Sequence, residues 1–116
     1  MIRKRRSVRY YPCKNSLLVI SPYTHSERRV QILDISEGGC ACIYEGTREE
    51  MNESGLLSLM ADEIPCVEKI NYATKSDFSF SRSHRRKGVE FRWLGSFTKN
   101  QVKGFISKTA ICRVGG

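Results

Sequence analysis

Residues Arg28–Glu45 read RRVQILDISEGGCACIYE. The first half, Arg28 to Ile35, is rich in Val, Ile and Leu. The second, Cys40 to Glu45, is a short apolar run. Between them Ser36-Glu37-Gly38-Gly39 has the length of a hairpin connection, with glycine available for positive φ. The stretch is therefore two antiparallel strands joined by a tight turn. It raises a question as well: Asp34, Ser36 and the two glycines either only shape that turn or form part of a site.

Further strands lie on both sides. SLLVIS (Ser16–Ser21), ended by Pro22, is a short β-branched run, and LLSLMA (Leu56–Ala61) and CVEKINYAT (Cys66–Thr74) are two more, divided by DEIP. GVEFRWL (Gly88–Leu94) alternates, which sends Val89, Phe91 and Trp93 to one face and predicts Trp93 as a core residue. Residues 46–55 are polar and read as a loop or one helical turn. SDFSFSRSHRRK (Ser76–Lys87) reads as a long polar connection, with Arg82–Lys87 as its solvated basic end. Beyond it Val102, Phe105, Ile106 and Ile111 share a helical face. Thr98 with Gln101 makes a capping box, Phe97 with Val102 a hydrophobic staple, and Gly104 weakens the helix by about 1 kcal/mol.

Six short strands and one amphipathic helix predict a mainly β fold: a small antiparallel barrel with the helix packed on it. The chain has 116 residues, enough for one domain, divided here into a basic, flexible N-terminal arm at 1–13 and the barrel with its helix at 14–116. With 40% hydrophobic and 28% charged residues the balance is that of a globular domain. No apolar run approaches the ~20 residues of a membrane span, and the charged N-terminus has no apolar leader, so a cytoplasmic protein is expected.

The five cysteines are an odd number without a CxxC, and there are only two histidines, so neither a disulfide scaffold nor a zinc site is expected. No paired carboxylates and no Ser–His–Asp set occur, so the chain is not read as an enzyme, and no cofactor is implied. The net charge of +8 is concentrated. Arg3, Lys4, Arg5, Arg6 and Arg9 crowd the first nine residues, and Arg82, Arg85, Arg86 and Lys87 form a second group. Such patches attract nucleic acid, phospholipid headgroups or a phosphorylated small molecule, unless they only keep the chain solvated.

Two motifs narrow that choice. Arg5-x-x-x-Arg9, followed by Asp34-x-Ser36-x-x-Gly39 on this strand plan, resembles the PilZ domain, a bacterial receptor module for cyclic di-GMP. The resemblance implies a six-stranded antiparallel barrel with a terminal helix. It also implies a ligand clamped between the RxxxR arm and the DxSxxG turn, by Arg5, Arg9, Asp34, Ser36 and Gly39. Lys4, Arg6 and Gly38 are possible further contacts; the residue before RxxxR, here Lys4, bears on whether one or two ligand molecules bind. The output then passes to an effector protein when the arm is ordered.

The chemistry suits these residues. Cyclic di-GMP presents two phosphates and two guanine edges. Arginine forks match phosphate oxygens and guanine N7/O6, and an ionised aspartate accepts from guanine N1–H and N2–H₂. On an extended arm Arg5 and Arg9 stand about 13 Å apart. Two other classes stay open: a small basic barrel stacking single-stranded nucleic acid on Tyr10, Tyr11 and Phe78, which the paired motifs make the lesser reading, and a PilZ-like adaptor without ligand.

Overall fold

The computed structural model describes residues 8–13 and 15–115. Six strands close a barrel: β2 (Ser16–Ile20), β3 (Arg28–Ser36), β4 (Gly39–Glu45), β5 (Ser54–Ala61), β6 (Ile64–Ser79) and β7 (His84–Arg92). Their order is β2-β5-β6-β7-β4-β3, and pairing of β2 with β3 shuts the ring. Every neighbour is antiparallel. The inward positions are the apolar ones read from the sequence. Leu18, Ile20, Ile32, Ile35, Leu57, Leu59, Val67, Ile70, Val89 and Phe91 share one buried cluster. Each such side chain contributes about 1.5–3 kcal/mol on burial.

Two strands go beyond the expected six. β1 (Tyr10–Pro12) and β8 (Ala110–Arg113) extend the sheet from the end of β3. Tyr10 pairs with Ile35 on one side and Arg113 on the other. The last residues of the expected arm are thus held in a ladder, too short to show as a period in the sequence. Between them in sequence, α1 (Ser96–Thr109) packs Val102, Phe105 and Ile106 into the core, against β6 and β1.

The helix start differs from the expectation. Gly95 is the N-cap and no side chain caps it; its carbonyl already accepts from Lys99 N–H at 2.9 Å. Thr98 lies inside the helix, and Phe97 is 75% exposed, so neither the capping box nor the staple forms. Ile111 belongs to β8 and is exposed.

The expected long connection at Ser76–Lys87 is mostly strand, reduced to a turn between Ser79 and His84. Its inward positions are polar, which hid the alternation. Asp77, with a fully buried side chain, accepts from Tyr44 Oη at 2.6 Å and from Arg85 Nε at 2.7 Å. Lys87 is wholly buried with Nζ 3.8 Å from Asp77 and makes no hydrogen bond to the described residues. Burial first, then the bond to Asp77, raises the Tyr44 phenol.

Candidate functional site

The expected hairpin is present: β3 and β4 are joined through Glu37 and Gly38, with Ser36 paired to Gly39. A bulge precedes it. Ile32 pairs with Cys42, but Asp34 pairs with Ala41, so Leu33 is an extra residue. That insertion reverses the alternation. Ile32 and Ile35 both stay in the core cluster, while Asp34 and Ser36 lie outside it on the outer face. Both are nonetheless buried, as is their neighbour Ala41.

Ser36 is committed to the turn. Its Oγ accepts from Gly38 N–H at 3.2 Å and donates to the Gly39 carbonyl at 3.3 Å. Gly39 serves a different purpose from the expected one. Its φ is not in the left-handed region; instead a Cβ there would strike the Val89 carbonyl oxygen of β7. Glycine is needed for close approach of two backbones. Gly38 anchors the turn to the same strand, its carbonyl accepting from Phe91 N–H at 2.9 Å.

Asp34 sits between two guanidinium groups. Arg9 Nη1 is 3.9 Å from Oδ1, and Arg86 Nη2 is 3.4 Å from Oδ2. Arg9 arrives because Tyr10 pairs with Ile35, and its carbonyl accepts from Val114 N–H at 2.9 Å. The second arginine of RxxxR and the aspartate of DxSxxG therefore meet. Arg5, with Lys4 and Arg6, lies outside the described residues.

Arg86 is the residue that the sequence reading missed. It lies on β7, opposite Ile43 of β4 and Phe78 of β6, rather than in a solvated loop. From there it reaches across β4, roughly 10 Å at backbone level, to Asp34. Beside Ile43, the next outer positions toward Asp34 are the small residues Ala41 and Gly88, paired with each other. The Phe78 ring lies 5.8 Å from the guanidinium carbon. Counting the alternation of β7 back from Val89 would have put Arg86 on the outer face; nothing in the sequence links it to position 34.

Trp93 also departs from the expectation. Its φ of 55° breaks the alternation at the end of β7, and the indole is 80% exposed with Arg92 over its ring. It follows Phe91, the strand residue held by Gly38. Elsewhere, an apolar groove runs over β2 and β5 beside Val19, Tyr23, Met60 and Pro65. No group of His, Cys, Asp or Glu among the described residues is placed to hold a metal. No described helix is long and apolar enough to cross a membrane.

No family model matches the chain, and no curated protein does. Solved structures do. The PilZ domain of YcgR from Escherichia coli, with c-di-GMP, superposes with a TM-score of 0.69 at 15% identity, over 91% of each chain. The Klebsiella pneumoniae MrkH–c-di-GMP complex gives 0.70 at 16% identity over 93% of this chain. The Bacillus subtilis inhibitor of motility, MotI/DgrA, gives 0.61 at 19% identity over 92%. The chain spans about half of the latter two, 52% of each. In fold, this six-stranded antiparallel barrel with its C-terminal helix is a PilZ-like domain.

Proposed function

We propose that the chain is a receptor for cyclic di-GMP, bound on the outer face of β3, β4 and β7. The observation that carries this reading is the meeting of Arg9 with Asp34 at 3.9 Å, since it joins the two motifs in one place. The two arginines bring two positive charges against one carboxylate, so these three side chains together carry a net charge of +1. A doubly anionic ligand suits it. Arg5 adds a further fork from the arm at 1–13, and Asp34 takes the donors of one guanine. Ser36 and Gly39 act through the turn they shape, and the exposed Trp93 offers a stacking face. Lys4, Arg6 and Gly38 are further contacts at the margin.

The signal is the arm. Tyr10–Pro12 is already held between β3 and β8. Ligand then fixes the arm upstream of Arg9 against the turn, converting a basic surface into a composite one that an effector protein recognises. The barrel with its helix, 14–116, is in this reading the platform against which the arm at 1–13 is fixed. In this reading the chain catalyses nothing, needs no cofactor and works in the cytoplasm.

Titration calorimetry with cyclic di-GMP tests the assignment. A dissociation constant of about 1 μM or tighter is expected. No heat and no thermal shift at ~100 μM ligand sets it aside. Binding of single-stranded oligonucleotide with a steep salt slope, indifferent to the dinucleotide, would favour the nucleic-acid reading instead.

A further inference from the structure

We infer that Arg86 is a specificity-determining residue: with Asp34 it reads the Watson–Crick edge of a guanine. This rests on the receptor reading above, and it adds a residue that neither motif contains. The order of groups is the reason. Arg86 Nη2 meets Asp34 at Oδ2, 3.4 Å away, while Arg9 meets it at Oδ1. Oδ1, Oδ2 and Arg86 Nη2 are thus two acceptors and then a donor. Guanine carries the complement in the same order: the N2 amino group and N1–H donate, and O6 accepts. A base seated on Asp34 places its O6 at Arg86.

The side chain is held where this requires it. Its guanidinium carbon lies 5.8 Å from the Phe78 ring, and Ile43 stands opposite it on β4, with the small pair Ala41 and Gly88 next along. Its side chain keeps 24% exposure, so ligand can reach it. Among the described residues the contact with Asp34 takes one N–H of the five on the guanidinium, leaving the rest of the fork for a ligand. Arg9 meets the other carboxylate oxygen, on the flank away from O6, and is left for the phosphates.

Adenine fails this edge twice. Its exocyclic amino group would face the Arg86 donor, and its N1 acceptor would face the carboxylate. Cyclic di-AMP shares the phosphates and riboses of cyclic di-GMP, so it separates base reading from charge attraction.

Calorimetric titration of the wild-type chain, Arg86→Ala and Arg86→Gln with both dinucleotides is the test, with melting curves to verify folding. Arg86→Ala is expected to weaken cyclic di-GMP by about 10- to 100-fold and to leave cyclic di-AMP within about threefold, so discrimination collapses. Arg86→Gln, which keeps a neutral donor, should fall between. Should Arg86→Ala fail to fold, the Gln variant carries the same comparison. An equal loss for both dinucleotides would make Arg86 a phosphate contact and overturn the inference; so would no loss at all. A wild-type chain that takes up neither dinucleotide overturns the receptor reading and this inference together, whereas a binding wild type with unaffected variants overturns this inference alone.

Discussion

Arg86 lies 52 positions downstream of Asp34, yet its Nη2 ends 3.4 Å from the aspartate's Oδ2. Arg9 meets Oδ1 of the same carboxylate. One buried acid thus organises a short arm segment and a barrel wall, and three strands must keep register for it to do so.

Arg9→Ala is expected to weaken cyclic di-GMP by about 10- to 150-fold, the worth of one charge-assisted contact. Its melting temperature should hardly move, because the 3.9 Å pair is part-exposed and such pairs contribute about 0–1 kcal/mol. Asp34→Ala should weaken binding as much. Calorimetry beside thermal melts separates the two effects, and a destabilised Arg9→Ala with unchanged affinity would make Arg9 structural.

Gly39→Ala should destabilise the fold by about 1–3 kcal/mol, since the new methyl meets the Val89 carbonyl and β4 must move from β7. Gly104→Ala, where a Cβ has open space, should stabilise by about 0.5–1 kcal/mol. Urea unfolding of both gives the comparison.

Inside the barrel, Asp77 answers both Arg85 and Lys87. Asp77→Ala should cost about 3–5 kcal/mol, leaving two cations and the Tyr44 hydroxyl without their acceptor. Lys87→Met should be neutral or stabilising, because Asp77 keeps Arg85 and Tyr44 while a buried ammonium is removed. A severe loss from Lys87→Met would show that its charge is needed.

Burial pushes the Cys42 thiol up to about 12 and the Tyr72 phenol to about 12, from ordinary values of 9.0 and 10.0. The unfolded chain therefore loses these protons first. Stability should be unaffected by these groups below pH 9 and should fall as pH rises from 9 towards 12. At pH 8 a thiol reagent should label exposed Cys112 fast and spare Cys40 and Cys42 until unfolding. Denaturation midpoints against pH and mass-mapped labelling check both.

The parts legible in the sequence were those where burial writes a period. β3 and β4 show theirs through Val30, Ile32, Cys40 and Cys42, and the motif residues Arg9 and Asp34 declared themselves by spacing. The start of β7 did not, because its inward places are Arg85 and Lys87, which an apolar pattern passes over; they are explained only by Asp77 across the ladder. Trp93 was misplaced by carrying the alternation onto a residue whose own φ is left-handed. The helix start was misplaced because Thr98 and Gln101 imitate a cap that the Gly95 backbone had already supplied. Arg86 needed the register of β3, β4 and β7 together, which no local signal encodes.

The central claim, that cyclic di-GMP binds on the β3–β4–β7 face, is tested most directly by amide NMR of the isotope-labelled chain titrated with the dinucleotide. Shifts are expected at Arg9, at Asp34 to Gly39 and around Arg86 to Gly88, saturating together at micromolar ligand, with Val19, Tyr23 and Met60 of the opposite groove unmoved. Shifts centred on that groove, or none anywhere at saturating ligand, would contradict it.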